Sequence, residues 1–365
     1  MKKICIATGG TGGHIYPALA LAQIWKKEEP DTEVIFIGND DRMEAQIIPA
    51  AGFPFSAVHA KGLAGSVVDK FKAVLATLKA RKAAKKILEK EKPDLVIGFG
   101  GYVTAPAALA AKSLGIPFML HEQNSIVGKA NRLVARDAAG IVTCYQKAQD
   151  DLADPKTRLL GNPRASLCAD LKKADEYLAS FGLDPNKKTI LIVMGSLGSS
   201  SVNQLMKDAL GKVDPELQIL YACGKDNEDA LHAFDSFKNV KAVPFVDALR
   251  LYPSLEGMIC RAGATTLAEV TACGIPSIII PSPYVAENHQ YYNALMLVEK
   301  NAAAMVEEKD FSADKLSKTI QETFMNEERR QTLQKNARAL GKPRAAQDII
   351  AYANEILKAH KGTVS

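Results

Sequence analysis

His14 follows a glycine-rich turn, Gly9-Gly10-Thr11-Gly12-Gly13, which itself follows the short apolar run Lys3–Thr8. A strand that ends in such a turn and passes into a helix presents backbone N–H groups and the positive end of a helix dipole. Both attract phosphate. The spacing is not the dinucleotide G-x-G-x-x-G, because His14 stands where the last glycine would let the helix pack closely. Glycines of this kind also make plain tight turns. An imidazole at the mouth of a parallel sheet, beside backbone donors, suits a general base. A second polar set is Arg261-Ala262-Gly263-Ala264-Thr265-Thr266-Leu267-Ala268-Glu269. It leaves a strand and enters a helix, so Thr265 and Thr266 can cap that helix and donate to a phosphate oxygen. Glu269, one turn in, can accept two ribose hydroxyls or join a capping arrangement with either threonine. His289, Gln290 and Asn293, after Pro281-Ser282-Pro283, suit sugar hydroxyls or a solvated helix start.

Strand-like apolar runs alternate with amphipathic helical stretches, which points to parallel α/β architecture. Lys3–Thr8, the glycine turn and a helix from Pro17 to Lys27 have a counterpart in Thr189–Met194, Gly195-Ser196-Leu197-Gly198 and the helical Val202–Leu210. Leu95–Phe99, Gly100-Gly101-Tyr102, a helix from about Pro106 and Gly115-Ile116-Pro117 are matched in the same way. Their counterparts are Gly257–Arg261, Ala262-Gly263-Ala264, a helix from about Thr265 and Gly274-Ile275-Pro276 before Ser277–Ile280. Two correspondences at similar offsets predict duplicated Rossmann-like halves, each a doubly wound parallel sheet. Patterning lapses near Gly161-Asn162-Pro163-Arg164, which divides the chain into 1–162 and 163–344. Ala345–Lys358 reads as a final helix whose place spacing does not reveal. Ligands of such sheets bind beyond the carboxyl ends of the strands, so the expected site is the cleft between two facing domains.

The bulk properties agree. At roughly 150 residues per domain, 365 residues make two domains. Hydrophobic content of 47% with 24% charged residues is that of a soluble globular chain, and a net charge of +5 is modest. No apolar run approaches the ~20 residues of a membrane span. The run Ile4–Ala7 behind Lys2-Lys3 is too short for a signal peptide, so the start reads as a mature cytoplasmic N-terminus. Six scattered cysteines form no C-x-x-C, and Cys5 and Cys260 read as small core residues. Six histidines include no H-E-x-x-H, so no metal site is expected. Aromatic content of 6% and the lack of any nucleic-acid motif argue against nucleic acid as a partner.

In order along the chain stand GGTGGHIYPALA, GFGGYVTAPAALAA, LHEQNSIVGKANR, GNPR, GSLGSSSVNQ and RAGATTLAEVTACGIPSIIIPSPYVAENHQYYNA. Together they resemble the family of bacterial UDP-N-acetylglucosamine–N-acetylmuramyl-(pentapeptide) pyrophosphoryl-undecaprenol N-acetylglucosamine transferases. The resemblance implies the two-domain GT-B glycosyltransferase fold, with acceptor bound by the first half and donor mainly by the second. It implies a last helix, about 345–365, that crosses back to the first domain. It further implies conversion of lipid I to lipid II on the cytoplasmic face of the cell membrane, with other cell-wall synthesis and division proteins as possible partners. Residue by residue, Thr11, Gly12 and Gly13 match the first loop, which meets the donor. His14 matches the proposed base, and Tyr102 the tyrosine of the second loop. His121, Glu122 and Asn124 match the family's HEQN motif, Asn124 on the donor-sugar side and the other two nearer the acceptor. Asn131, Arg164, Ser196 and Asn203 match further polar positions. Val246 matches an aliphatic residue whose backbone meets uracil. Arg261, Ala264, Thr265, Thr266, Leu267, Ala268, Glu269, Gln290 and Asn293 match the phosphate, ribose and sugar contacts. The third loop departs from the family pattern at Met194 and Leu197, and Ala262 replaces a common serine.

The implied reaction is inverting transfer of GlcNAc to the muramyl C4 hydroxyl. Its base is His14 or, as the rival, Glu122. No Asp-x-Asp motif occurs, so no obligatory cofactor is expected. The helix opening at Ala264–Thr266, aided by Arg261, then steadies the departing UDP. A polyprenyl acceptor requires contact with the bilayer. Between Lys70 and Lys92 lie nine Lys/Arg and two Glu, interleaved with the stripe Phe71, Val74, Leu75 and Leu78. That pattern suits a basic helix lying on anionic lipid or an ordinary helix burying its stripe in its own domain. Competing readings are a UDP-GlcNAc 2-epimerase, a diacylglycerol glycosyltransferase and a nicotinamide-dependent oxidoreductase. Against the last stands the absence of an acid directly after Ile35–Gly38, where Asn39 precedes Asp40 and Asp41.

Overall fold

A computed structural model describes residues 1–60, 67–194, 200–224 and 231–364, the backbone alone at 67–74, 200–203 and 363–364. Near-continuous apolar runs, the mark of strands covered on both faces, build two wholly parallel sheets. The first contains β1 (Lys3–Ala7), β2 (Glu33–Asn39), β3 (Phe55–Val58), β4 (Leu95–Gly98), β5 (Phe118–Glu122), β6 (Gly140–Thr143) and β7 (Thr157–Leu159), in the order β3-β2-β1-β4-β5-β6-β7. The second contains β8 (Thr189–Val193), β9 (Gln218–Ala222), β10 (Val240–Val243), β11 (Gly257–Cys260), β12 (Ser277–Ile279) and β13 (Ala304–Met305), in the order β10-β9-β8-β11-β12-β13. Strand order reverses beside β1 and β4 in one sheet and beside β8 and β11 in the other. Those are the switch points at which such folds open a crevice.

Met1–Ser166 with Arg344–Ser365 form one unit, and Leu167–Pro343 the other. Patterning had set the divisions at 162 and 344. Cys5 and Cys260 are core residues in the central strands of their sheets. On one face of the first sheet, alanines 80, 84, 107, 108 and 111 bring two helices close to Cys5, Ile35, Val96 and Leu120.

Two helices start earlier than patterning predicts. The first runs Gly12–Glu28 with Pro17 inside it, and another runs Thr104–Ser113 with Pro106 in its first turn. Pro106 sits where an N–H has no helical partner, while Pro17 is accommodated farther inside its helix, so reading prolines as helix starts placed both boundaries too late. The consequence is functional: His14 lies in the first helical turn, its N–H donating to the Thr11 carbonyl at 3.0 Å.

The final helix, Ala345–Val364, docks on the N-terminal unit through polar contacts. Tyr352 donates to the Lys156 carbonyl at 2.6 Å, and Arg158 lies 3.8 Å over the Tyr352 ring while pairing with Glu355 at 2.6 Å. At its other contact Glu29 accepts from Lys2, Asn354, Trp25 and Thr32. Burial works to raise the Glu29 pKa, but these donors outweigh it and hold the carboxyl at about 2. A depressed carboxyl contributes stability that is complete above its unfolded value near 4.5 and is lost as pH falls through 2. Glu29→Gln is expected to cost about 2 kcal/mol at neutral pH, discounted for partial exposure. It should also flatten that acid limb, as read from urea unfolding at pH 7 and pH 3.

Candidate active site

At the switch point of the first sheet the loops after β1 and β4 touch. Gly101 has φ +74°, and a Cβ on it would stand 2.2 Å from the Gly9 carbonyl oxygen. Its neighbour Gly100, at φ +88°, would drive a Cβ to 2.7 Å from the His14 ring. Only two glycines in left-handed conformations let the loops close and the imidazole lie against bare backbone. His14 Nδ1 lies 3.2 Å from Thr11 Oγ1. Tyr102, next along the second loop, is half exposed.

Beneath the first loop sits Glu44, fully buried, a residue sequence reasoning did not single out. Its carboxylate accepts the N–H of Gly10 at 3.3 Å and of Asn39 at 3.1 Å. The protein therefore supplies its own anion at a place where dinucleotide folds receive a phosphate. The end of β2 is equally closed: the buried Asn39 amide exchanges hydrogen bonds with the Ala60 backbone. Neither feature leaves room for the oxidoreductase reading.

The third element of this edge is β5, whose last residues invert the usual burial rule. His121 is buried against Phe99, ring centroids 4.7 Å apart, and its Nε2 donates to the Gly161 carbonyl at 3.0 Å. Gln123 donates to His121 Nδ1 at 2.9 Å and to the Phe99 carbonyl at 3.0 Å. Its Oε1 is left buried without a hydrogen-bond partner among the described residues, 3.5 Å from where a Gly100 Cβ would lie. Glu122 is buried too. Its Oε1 accepts from the Asn124 N–H at 3.0 Å, and its Oε2 from the Gly128 N–H at 2.9 Å and the Asn131 amide at 2.8 Å. Burial raises the Glu122 pKa, partly offset by those donors. Donors from Asn124, Gly128 and Asn131 on one carboxylate make a brace for the loop 122–131, which tells against Glu122 as the base. Asn124 is half-buried; Asn131 is buried at the foot of this loop. Arg164 lies 5.9 Å over the Tyr16 ring.

In the C-terminal unit the loop after β11 opens the helix Ala264–Cys273, with Gly263 as N-cap and no side-chain cap. The capping alternative for Glu269 thus fails. Glu269 is buried and accepts the Tyr252 phenol on Oε2 at 2.7 Å. Arg261 donates from Nη1 to the Ile280 carbonyl at 3.1 Å and to Glu308 at 3.0 Å. Asn293 is fully buried and donates to the Ala262 carbonyl at 3.1 Å, so its place is behind the loop, not at a solvated helix start. Gln290 accepts the Ser282 N–H at 2.9 Å. Val246 is buried beside an exposed Phe245. Ser196 and Leu197 lie outside the described residues, as does the side chain of Asn203.

Residues 4–143 match the model of the glycosyltransferase family 28 N-terminal domain, and residues 189–349 that of the family 28 C-terminal domain. This chain belongs to glycosyltransferase family 28. It is 38% identical over 98% of its length, and all of the relative's, to a Halalkalibacterium halodurans protein. That relative is named UDP-N-acetylglucosamine–N-acetylmuramyl-(pentapeptide) pyrophosphoryl-undecaprenol N-acetylglucosamine transferase. A Listeria monocytogenes relative of the same name is 36% identical at the same coverage. Among solved structures, Acinetobacter baumannii MurG superposes with a TM-score of 0.79 at 28% identity, covering 97% of this chain and 100% of that one. A Neisseria meningitidis UDP-GlcNAc 2-epimerase bound to UDP-GlcNAc superposes at 0.71 with 15% identity, covering 97% and 100% of the two chains, a likeness of fold alone.

As a family 28 chain, it carries a polar set on each unit: His14, Tyr102, His121, Glu122, Asn124 and Asn131 on the first, Arg261 to Glu269 with Gln290 and Asn293 on the second. Glu44, Gln123, Tyr252 and Glu308 were missed. For Glu44 and Glu308 no local signal exists, since each is one acid among many until the fold closes over it. Gln123 was inside a quoted motif. Among the described residues, the one group of three metal-type ligands within 4.8 Å is Asp40, Asp41 and His59, all exposed. Its imidazole lies 3.0 Å from Asp40 Oδ1.

Burial, opposed in part by the bond to Gly161, lowers the His121 pKa from 6.5 to about 4. Between those values the unfolded chain binds a proton that the native one refuses, so stability falls as pH drops from 6.5 toward 4. The expected loss is about 3 kcal/mol by pH 4. His121→Asn should abolish that slope in urea titrations, whatever it does to stability at pH 7; an unchanged slope would show that His121 does not cause it.

Proposed function

We propose that this chain is a UDP-GlcNAc-dependent hexosyltransferase that moves GlcNAc to the C4 hydroxyl of the muramyl sugar of lipid I, yielding the β-1,4-linked lipid II of peptidoglycan synthesis. One observation carries the reading. Relatives 34–38% identical across their full length bear that transferase's name, and this chain holds the corresponding motifs at the sheet edges described above. The N-terminal unit takes the acceptor and the C-terminal unit the nucleotide sugar.

His14 Nε2 accepts the proton of the C4 hydroxyl as its oxygen attacks the anomeric carbon. The bond from that carbon to the diphosphate oxygen breaks, UDP leaves with the electron pair, and configuration inverts. For Nε2 to hold the lone pair, Nδ1 must carry the hydrogen. Thr11 Oγ1, 3.2 Å away, accepts it. Glu122 acts through the loop it braces. Charge on the departing diphosphate meets the N–H groups that open the helix at Ala264, Thr265 and Thr266, together with Arg261. Glu269 receives the ribose hydroxyls, and Val246 presents its backbone to uracil.

A positioned base contributes ~10²–10⁴ in rate. His14→Ala is therefore expected to lose about 3–5 kcal/mol of barrier stabilisation in GlcNAc transfer to a lipid I analogue, with little change in UDP affinity. Turnover within threefold of wild type would remove His14 from this role. Glu122→Gln run in parallel should lower thermal stability and leave the acidic limb of the pH–rate profile in place.

No helix among the described residues is long and apolar enough to cross a membrane. The helix Val67–Glu91 supports peripheral attachment at the cytoplasmic face instead. It buries Ala80, Ala84 and Leu88, while Leu75 and Leu78 are 44% and 54% exposed. Helical spacing puts Lys79, Arg81 and Lys82 three or four positions from those leucines. The side chains of Phe71 and Val74 lie outside the description. Leucines left in water beside lysines fit a surface that dips into acyl chains and pairs with anionic headgroups. At ~1 kcal/mol for each basic residue near the surface, replacing Lys79, Arg81, Lys82, Lys85 and Lys86 by Glu should abolish sedimentation with phosphatidylglycerol vesicles. Undiminished binding would refute the assignment.

A further inference from the structure

Tyr252 is 3% exposed and belongs to no quoted motif, yet its phenol donates at 2.7 Å to the acid of the nucleotide-binding helix. Burial, reinforced by the Glu269 charge, pushes its pKa well up. The hydroxyl therefore stays protonated and acts toward Glu269 as a donor. The segment that delivers Tyr252 is the one that carries Val246. Phe245-Val246-Asp247 leads into the short helix Ala248–Leu251, and Tyr252 opens the turn Tyr252–Ser254 behind it. That helix is held in front as well: Tyr177 Oη lies 3.0 Å from the Asp247 nitrogen, and Arg250 lies 4.0 Å over the Tyr177 ring.

We propose that Tyr252 is a positioning and specificity residue. By binding Oε2 it fixes the plane of the Glu269 carboxylate for a cis-diol, and so sets the preference for a ribonucleotide over a 2′-deoxyribonucleotide. The proposal rests on the reading that Glu269 meets the ribose. A carboxylate can grip two neighbouring hydroxyls only when its plane is fixed, and the terminal torsion of a glutamate is broad by nature. The phenol removes that freedom and supplies a donor to a buried charge. It does so from the chain segment assigned to the base, so base and sugar are read by one braced unit.

Calorimetry on the full-length chain with UDP and 2′-deoxy-UDP tests this. Tyr252→Phe keeps the ring in the core and deletes one hydroxyl. It is expected to weaken UDP ~10-fold, the effect of one charged hydrogen bond, while 2′-deoxy-UDP changes less than about threefold. Equal weakening of both ligands would mean a merely structural tyrosine and overturn the proposal. Glu269→Gln separates the two layers. If it erases the ribose preference while Tyr252→Phe leaves that preference intact, the tyrosine proposal fails and the ribose reading stands. If Glu269→Gln leaves the preference intact, the ribose reading fails and the proposal falls with it.

Discussion

The N-terminal unit depends on an approach of backbone to backbone that no side chain can occupy. The Gly9 carbonyl packs on Gly101, and the His14 ring lies on Gly100, where a Cβ would stand within 3 Å of each. The placing of His14 on that edge follows from this closure. Because the loops touch, the imidazole is held at the switch point and not beside it. Because Glu44 fills the space beneath, the Gly10 N–H is consumed from inside. A loop that resembles a phosphate cradle in composition thus becomes a histidine mount. The helices Gly12–Glu28 and Ala264–Cys273 both open without a side-chain cap, and on the first the loop before it has already spent the Gly10 N–H on Glu44.

The end of β5 shows the complementary constraint. Three consecutive polar residues, His121, Glu122 and Gln123, are buried where apolar side chains would be the rule. Each is held by backbone. Gly161 takes the imidazole N–H, Phe99 takes one amide hydrogen of Gln123, and the Glu122 carboxylate gathers the loop that follows. A satisfied polar cluster of this kind rigidifies what it touches. The exception is Gln123 Oε1, a buried acceptor without a partner among the described residues. Such an atom costs ~1–3 kcal/mol until a hydroxyl or water reaches it. It lies next to the His14 mount, on the unit proposed to take the acceptor.

The architecture was legible because parallel strands leave apolar runs and switch-point loops leave glycines, and both signals are local. The paired units at Lys3–Thr8 and Thr189–Met194, and at Leu95–Phe99 and Gly257–Arg261, fall on strands at the centres of the two sheets. Helix starts at Gly12 and Thr104 were missed because proline is a permissive signal and not an obligatory one. Candidate residues such as His14 and Glu269 stood out by type and by position after a strand. Their partners did not. Tyr252 meets Glu269 across 17 positions, Glu308 meets Arg261 across 47, and Glu44 meets Gly10 across 34. Hydrogen bonds of such span are products of topology, which a single sequence does not print. The helix Val67–Glu91 shows the same limit. Its two apolar stripes look alike in spacing, and only the fold distinguishes Ala80, Ala84 and Leu88, which it covers, from Leu75 and Leu78, which it leaves in water.

In the proposed transfer, Arg261 bears on how the departing charge is met. A guanidinium paired with a carboxylate at 3.0 Å, in a half-buried setting, brings little net charge to an incoming diphosphate. What the pair does bring is orientation. Both bonds leave from Nη1, which has two hydrogens, so the three donors on Nε and Nη2 are aimed by a nitrogen that is already fixed. The net attraction must then come chiefly from the helix at Ala264, whose aligned peptides are equivalent to about half a unit charge at their positive end. That end is fixed from behind by Asn293 on the Ala262 carbonyl. A dipole anchored in this way needs no reorganisation as the bond to the sugar breaks, which is the condition under which electrostatic stabilisation favours the transition state over the bound substrate.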